Sequence, residues 1–370
     1  MPTMSRLLCY AGCFRYRSNN VFNTNLMKYS VRTISFVLFG ILLFVIPGIY
    51  QLIQTTSIAT RNHQLQEVKT ITRLTPTTKV MPKGVATSMT VITQARLGNN
   101  MFQYAALVGV ALARGHVPIY LNEGNDLRKI FNISAAKYPD SELGVRVTKN
   151  SNRYNENCCL FDPKLMKTVK IEGNFVLSGF FQNWRYFHPH ASDQLRREFT
   201  FRKPVADAAE SFLAIATTKF RQKLATTKNN TKVTYVGVHV RRGDITNNHY
   251  RKLGMRQPTM DYFKKAMAIM ESLYHNLFYV ICSDDLKWCR KNFGSMPNTA
   301  FCPGTDRLVD LAILSKSNHS ILTIGSFGFW GAFLANGTTT YFGSARAFNT
   351  EVERVFSYDQ YFMPEWIKIP

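Results

Sequence analysis

Three short runs of almost unbroken apolar residues constrain this chain more than any other feature. They are TYVGVHV after Lys232, the segment 277–282 and the segment 320–324. Each is rich in β-branched or aromatic residues and lacks the alternation of a half-exposed strand, the pattern of strands buried on both faces of a parallel sheet. Each stops in a short polar or glycine-bearing segment: Arg241-Arg242-Gly243-Asp244, Ser283-Asp284-Asp285 and Gly325-Ser326-Phe327-Gly328. Between them the spacing predicts helices over 258–274, from Leu286 and over 307–315, a small strand near Ala300, and a final helix over 329–335. Parallel strands send all their C-terminal loops to one edge, where open α/β sheets bind ligands. Residues 239–244, 283–285 and 325–327 are therefore expected to surround one cleft.

Upstream, a strand over 89–93, a Gly98-Asn99-Asn100 turn, a helix over 101–113 and a strand over 117–121 read as a βαβ unit, so the class is α/β. The chain begins differently. Residues 1–32 carry Arg6, Arg15, Arg17, Lys28 and Arg32 and no acid, and the uncharged run TISFVLFGILLFVIPGIYQLIQ at 33–54 follows. That run is long enough to span a bilayer and longer than a signal-peptide core. The basic excess before it predicts a cytoplasmic tail at 1–32, a signal-anchor at 33–54 and a lumenal remainder, because only Arg61 and Lys69 occupy the matching window beyond it. The Thr-rich segment 55–87 reads as a stalk. Sequons at Asn132, Asn229, Asn318 and Asn336 suit a lumenal location, with Asn336 falling inside a predicted helix. Cys9 and Cys13 precede the anchor, leaving Cys158, Cys159, Cys282, Cys289 and Cys302 in an oxidising compartment, an odd number that demands a free thiol or an intermolecular bridge.

The net charge of +23 suggests nucleic acid, anionic lipid or a phosphorylated substrate, and the lumenal topology weighs against nucleic acid. Arg241 and Arg242 offer forked donors suited to phosphate oxygens, or else a surface ion pair with Asp244. Ser326 and the N–H groups of 325–328 stand where a helix begins, so they can hold a phosphate or simply cap the helix. Asp284 and Asp285 can accept from a base such as guanine, bind a metal, or cap the helix at Leu286, and the cap is the default. No Asp-x-Asp triplet, Gly-x-Gly-x-x-Gly, Walker sequence or serine-hydrolase elbow occurs. Arginine would then have to replace a metal at a diphosphate. His188-Pro-His190 reads as a surface turn rather than a metal site.

Four passages, Arg96-Leu-Gly-Asn-Asn-Met-Phe-Gln-Tyr-Ala105, Gly179-Phe-Phe-Gln-Asn-Trp-Arg-Tyr-Phe187, Gly237-Val-His-Val-Arg-Arg-Gly-Asp244 and Gly325-Ser-Phe-Gly-Phe-Trp-Gly331, lie in this order across residues 89–343. Together they resemble the galactoside α-1,2-fucosyltransferases of glycosyltransferase family 11, whose animal members share the anchor and stalk. The resemblance implies two Rossmann-like, GT-B-like lobes: 88–230, and 231–370 binding the nucleotide sugar. It also implies inverting, metal-independent transfer of fucose from GDP-fucose to the 2-hydroxyl of a galactose-terminated glycan at the Golgi membrane, with no cofactor. Arg241 should hold the diphosphate with Arg242 assisting, His239 and Asp284 should contact guanine, Ser326 a phosphate oxygen, and Phe327 belongs to the same donor set. Ser326 stands where Thr is common in the family, and Gly331 where Ala is common. Asp244 is the candidate base, with an ion-pair role beside Arg241 or Arg242 as the alternative and His249 and Asp261 as other bases. Gln103, Trp184 and Arg185 are candidates for the acceptor pocket, or for packing and capping. Other linkages or acceptors, and an inactive membrane-tethered glycan-binding relative, are the competing readings.

Overall fold

The first parallel sheet grows from a helix that is apolar almost all round. The protein is represented by a computed structural model, and the structure describes residues 88–92, 96–120, 127–135, 152–156, 159–167, 175–226, 232–346 and 356–370. The expected tail, anchor, stalk and Asn229 lie outside the described residues. Strand β1 (Ser88–Ile92) leads to α1 (Leu97–Arg114), which is followed by β2 (Val117–Ile119), β3 (Asn152–Asn155) and β4 (Phe175–Ser178). The order is β2-β1-β4-β3, with all pairs parallel. Helix α1 begins earlier than the sequence suggests. The N–H groups of Asn99 and Asn100 donate back to Arg96 O, so Gly98-Asn99-Asn100 form its first turn rather than a separate one. His188-Pro-His190 likewise opens helix α2 (His188–Glu198), since proline suits a first helical turn.

Two helices that periodicity did not predict, α3 (Lys203–Ala216) and α4 (Thr218–Thr226), lead into the second sheet. Its elements are β5 (Thr234–Val240), α5 (Asn248–Lys252), α6 (Met260–Leu273), β6 (Leu277–Ser283), α7 (Leu286–Phe293), β7 (Thr299–Phe301), α8 (Arg307–Ser315), β8 (His319–Leu322), α9 (Ser326–Ala335), β9 (Thr339–Phe342), α10 (Tyr358–Tyr361) and β10 (Ile367–Ile369). The six strands are ordered β10-β9-β8-β5-β6-β7 and every pair is parallel. The three apolar runs thus lie side by side at the centre, and the two sheets fall on either side of residue 230, within a compact unit running from Pro76 to Pro370.

Side-chain alternation along β5 and β6 divides the core. Val236, Val238 and Val240 pack with Tyr262 and Phe263 of α6 and Cys289 and Phe293 of α7, whereas Val280 and Cys282 face Leu311 and Leu314 of α8 and Trp330 of α9. The latter cluster continues without a break into the first sheet. Phe102 of α1 stands 4.6 Å from Phe329 and 5.0 Å from Trp330, and the Trp330 indole donates to Gly98 O at 2.9 Å. Burying such rings contributes about 1.5–3 kcal/mol each, so α1 and α9 are joined at their N-terminal ends by core packing. Among the described residues, no helix is long and apolar enough to cross a membrane.

Candidate active site

Adjacent strands bring the three edge loops together and hydrogen bonds tie them. Thr323, the residue after β8, accepts the Arg241 N–H on its hydroxyl at 2.9 Å. Asp284 Oδ1 accepts the Arg242 N–H at 2.7 Å, and Ser283 donates to Val240 O at 2.7 Å. Residues 239–244, 283–285 and 325–327 therefore surround one edge, as parallel topology requires.

Arg241 and Arg242 diverge there, because successive residues leaving a strand point to opposite faces. The Arg241 guanidinium grips Asp244 on both oxygens, Nη2 to Oδ2 at 2.9 Å and Nε to Oδ1 at 3.2 Å. A Cβ on Gly325 would stand 2.8 Å from its Nη1, so that edge lies against the start of α9. Burial opposes the charge of Arg241, and the Asp244 carboxylate outweighs it and raises the guanidinium above its usual value. Burial likewise pushes the Asp244 carboxyl up, while Arg241, with Arg96 adding, overcomes this and holds it below the usual range. Arg242 turns the other way, 4.2 Å over the Trp288 ring and 3.3 Å from Asp285 Oδ2, with its side chain 15% exposed. In this arrangement the planar group of Arg242 packs on α7, between Trp288 and Asp285.

Helix α9 begins at Ser326 after Gly325, whose φ of 107° suits glycine, and it has no side-chain cap. Among the described residues no side chain caps the first N–H groups of this ten-residue helix, which starts beside Arg241. Ser326 does not cap the helix; its hydroxyl donates to Asn99 Oδ1 at 2.8 Å. His239 is buried, its ring 5.5 Å from that of Phe327, and its Nδ1 has no hydrogen-bond partner among the described residues. Burial pushes this imidazole down to about 4, with Asp284 raising and Arg241 lowering it, so it is neutral at pH 7. A Cβ on Gly328 would lie 2.4 Å from His239 Nδ1, a close approach that glycine permits. Asp285 accepts the Trp288 N–H at 3.1 Å and caps α7, so the default cap reading holds for Asp285 and not for Asp284.

Of the other candidates, His249 is exposed on α5 beside Tyr250, and Asp261 is exposed on α6 and paired with Lys265 at 2.7 Å. Gln103 is fully buried and donates to Gly179 O at 2.7 Å. Trp184 donates its indole N–H to Asp359 O at 2.9 Å, and Arg185 lies 5.7 Å from the Phe161 ring, so both pack around the 179–187 segment. Asn132, Asn318 and Asn336 are exposed; Asn318 Oδ1 accepts the Tyr235 N–H, and Asn336 ends α9 in a left-handed conformation rather than lying inside it. Cys282 and Cys302 form a disulfide, and Cys159 and Cys289 are buried. Cys282 and Cys302 also lie beside Asp310, a grouping of potential ligand atoms in which both sulfurs are already bonded to each other.

Asn99, Gln182 and Thr323 were not singled out in the sequence. Asn99 Oδ1 accepts from both Ser326 Oγ and Gln182 Nε2, each at 2.8 Å, and so joins the two sheets at the cleft. Asn99 and Gln182 sat inside quoted motifs, yet only three-dimensional proximity gives them this role.

With that geometry established, comparison places the chain among known proteins. The glycosyl transferase family 11 profile matches residues 54–370. Galactoside alpha-(1,2)-fucosyltransferase 1 of Pan troglodytes and that of Homo sapiens are each 30% identical over 297 residues, covering 78% of this chain and 76% of the relative. Among solved structures, fucosyltransferase NodZ from Bradyrhizobium aligns over 66% of this chain and 92% of its own, at 13% identity and a TM-score of 0.44. The chain belongs to glycosyl transferase family 11, the fucosyltransferase family that its motifs resemble, and is a glycosyltransferase enzyme.

Proposed function

We propose that this enzyme transfers fucose from GDP-fucose to the 2-hydroxyl of a galactose on a glycan, with inversion and without an essential metal. One observation carries the reading: Arg241, fixed on both oxygens of Asp244, sits against the uncapped N-terminus of α9. A guanidinium and a helix N-terminus converging at a sheet edge suit a diphosphate, and they can stabilise the charge that grows on departing GDP. The neutral, buried His239 and the Phe327 ring beside it suit the nucleotide end, with Asp284 at the next loop. The names of the curated relatives supply the galactoside acceptor and the linkage.

The cleft carboxylates are occupied in ways that favour arginine over metal in this role. Asp244 holds Arg241, Asp284 holds the Arg242 N–H, and Asp285 caps α7. Asp244 is better suited to orienting Arg241 than to removing the acceptor proton, because a carboxyl held below its usual range is a weak base near pH 7. The reading includes two lobes of GT-B type, one transmembrane anchor at 33–54 and a lumenal catalytic domain at the Golgi membrane. The Cys282–Cys302 disulfide supports an oxidising compartment. The test is a donor and acceptor screen with linkage analysis of the product by mass spectrometry. Transfer from GDP-fucose giving a fucose on galactose O2 is expected. Transfer to another position would overturn the linkage, and no transfer from any fucose donor would favour a glycan-binding relative.

A further inference from the structure

The loop after β4 holds an arrangement that the donor-site reading does not use. Gly179 (φ 148°) and Phe181 (φ 51°) lie in the left-handed half of backbone space, and so does Cys159 (φ 66°) beside them. For Phe and Cys that conformation is unfavourable, so neighbouring contacts must offset it. Glu156, the residue after β3, supplies them. Phe181 donates its N–H to Glu156 Oε2 at 2.5 Å, the N–H groups of Phe180 and Cys159 also face the carboxylate, and Oε1 is buried with no hydrogen-bond partner among the described residues. A Cβ on residue 179 would lie 2.5 Å from Glu156 Cβ, so glycine makes room for this side chain.

Contacts lead from the loop to the Arg241 edge. Gln182 donates to Asn99 Oδ1 at 2.8 Å, and the same oxygen accepts the hydroxyl of Ser326 at the start of α9. The Cys159 thiol approaches Gln182 Oε1 at 3.9 Å, and Gln103 holds Gly179 O. We propose that Glu156 is a positioning residue for the donor site: its buried carboxylate holds the left-handed loop 179–182 and, through Gln182 and Asn99, fixes Ser326 at the N-terminus of α9. The inference rests on the donor site described above.

Burial pushes the Glu156 carboxyl up to about 7 against the pull of the surrounding N–H groups. The titratable groups around it are Tyr154, Tyr186, Asp162 and Cys159; burial raises both tyrosines, so they stay neutral, and Asp162 accepts the Tyr154 hydroxyl. Two opposite pH effects follow. The ionised carboxylate makes stronger hydrogen bonds to N–H groups than the protonated form, so donor affinity weakens as pH falls through about 7. Because the folded value lies above the unfolded one, the contribution to stability is full below the unfolded value and is lost as pH rises through about 7. A residue that merely supported the fold would not separate the two.

The test is calorimetric titration of GDP into the full-length protein in detergent on either side of neutral pH, with thermal melting in parallel. Glu156→Gln keeps the size and removes the charge. It should bind GDP roughly tenfold more weakly above neutrality, lose the acid limb of binding, and melt no lower than wild type there. Gln182→Met, which breaks the path beyond the carboxyl, should also weaken GDP binding while keeping the wild-type dependence of melting on pH. If both variants fold and bind GDP as wild type does on both sides of neutrality, Glu156 positions nothing and the inference fails. A wild-type chain that binds no GDP at all sinks the donor-site reading, and this inference with it.

Discussion

A guanidinium held on two carboxylate oxygens loses little further freedom when it meets an anion, and Arg241 is such a group. Lysine in its place keeps the charge but not the fork, so Arg241→Lys should turn a bidentate phosphate contact into a single weaker one. Charge-assisted hydrogen bonds contribute ~1.5–3 kcal/mol each, so GDP affinity, or turnover if the contact tightens as GDP departs, should fall roughly ten- to a hundredfold. Arg242→Lys should behave differently. It loses the flat stacking surface over Trp288, so it should lower the melting temperature more than it changes GDP affinity. A folded Arg241→Lys with wild-type affinity and rate would make Arg241 a structural ion-pair residue. Chelation offers an independent check on the carboxylates: transfer should survive excess EDTA, and loss restored by manganese or magnesium would make Asp284 and Asp285 ligands. That the two arginines part company was not legible in the sequence, because adjacency in the chain says nothing about which face each will take. The local cap at Asp285 was legible, since it depends only on neighbours three residues on.

At the scale of elements, the central strands could be read because a strand buried on both faces must be apolar along its whole length, as β5 and β6 are. Strand β3, with the sequence NRYN, is partly exposed and has no such signature. Helices α3 and α4 escaped for a related reason: Ala209 and Leu213 are the buried residues of α3, α4 buries none, and Ile215 is 75% exposed, so no wide apolar stripe exists to be seen. Contact between α9 and β5 was equally invisible, yet it decides what residue 328 can be. A methyl group at Gly328 would meet His239 at 2.4 Å from Nδ1 and 2.8 Å from Cγ, and the ring is buried with little room to retreat. Gly328→Ala should therefore destabilise the protein by about 1–3 kcal/mol, as overpacking does, and should weaken GDP binding by displacing the imidazole. Urea unfolding measures the first and calorimetry the second; unchanged values in both would mean that α9 shifts freely against β5.

For the whole molecule, the proposed orientation across a membrane rests on two separate features of the chain. The basic residues before 33–54 argue for a cytoplasmic N-terminus, and the Cys282–Cys302 disulfide argues independently that the catalytic unit matures in an oxidising lumen. Both require the sequons to be lumenal, and Asn132, Asn318 and Asn336 are exposed enough to carry a glycan. Their settings differ. The hydroxyl of Ser134 in the first sequon is engaged by Glu198 and that of Thr338 in the last by Tyr274, whereas at Asn318 the asparagine side chain itself bonds the start of β5, so modification there must precede folding. Asn336 lies in a left-handed turn at the end of α9 with its side chain exposed. Asn318 is therefore expected to be the least occupied of the three. Glycosidase treatment of the protein from a secretory host should lower its apparent mass, and Asn318→Gln should remove less of that shift than Asn132→Gln or Asn336→Gln. In sealed microsomes a protease added outside should trim the N-terminal tail and leave the C-terminal epitope intact. An unglycosylated protein whose C-terminus is digested from the cytosolic side would reverse the orientation and remove the lumenal setting on which the proposed function depends.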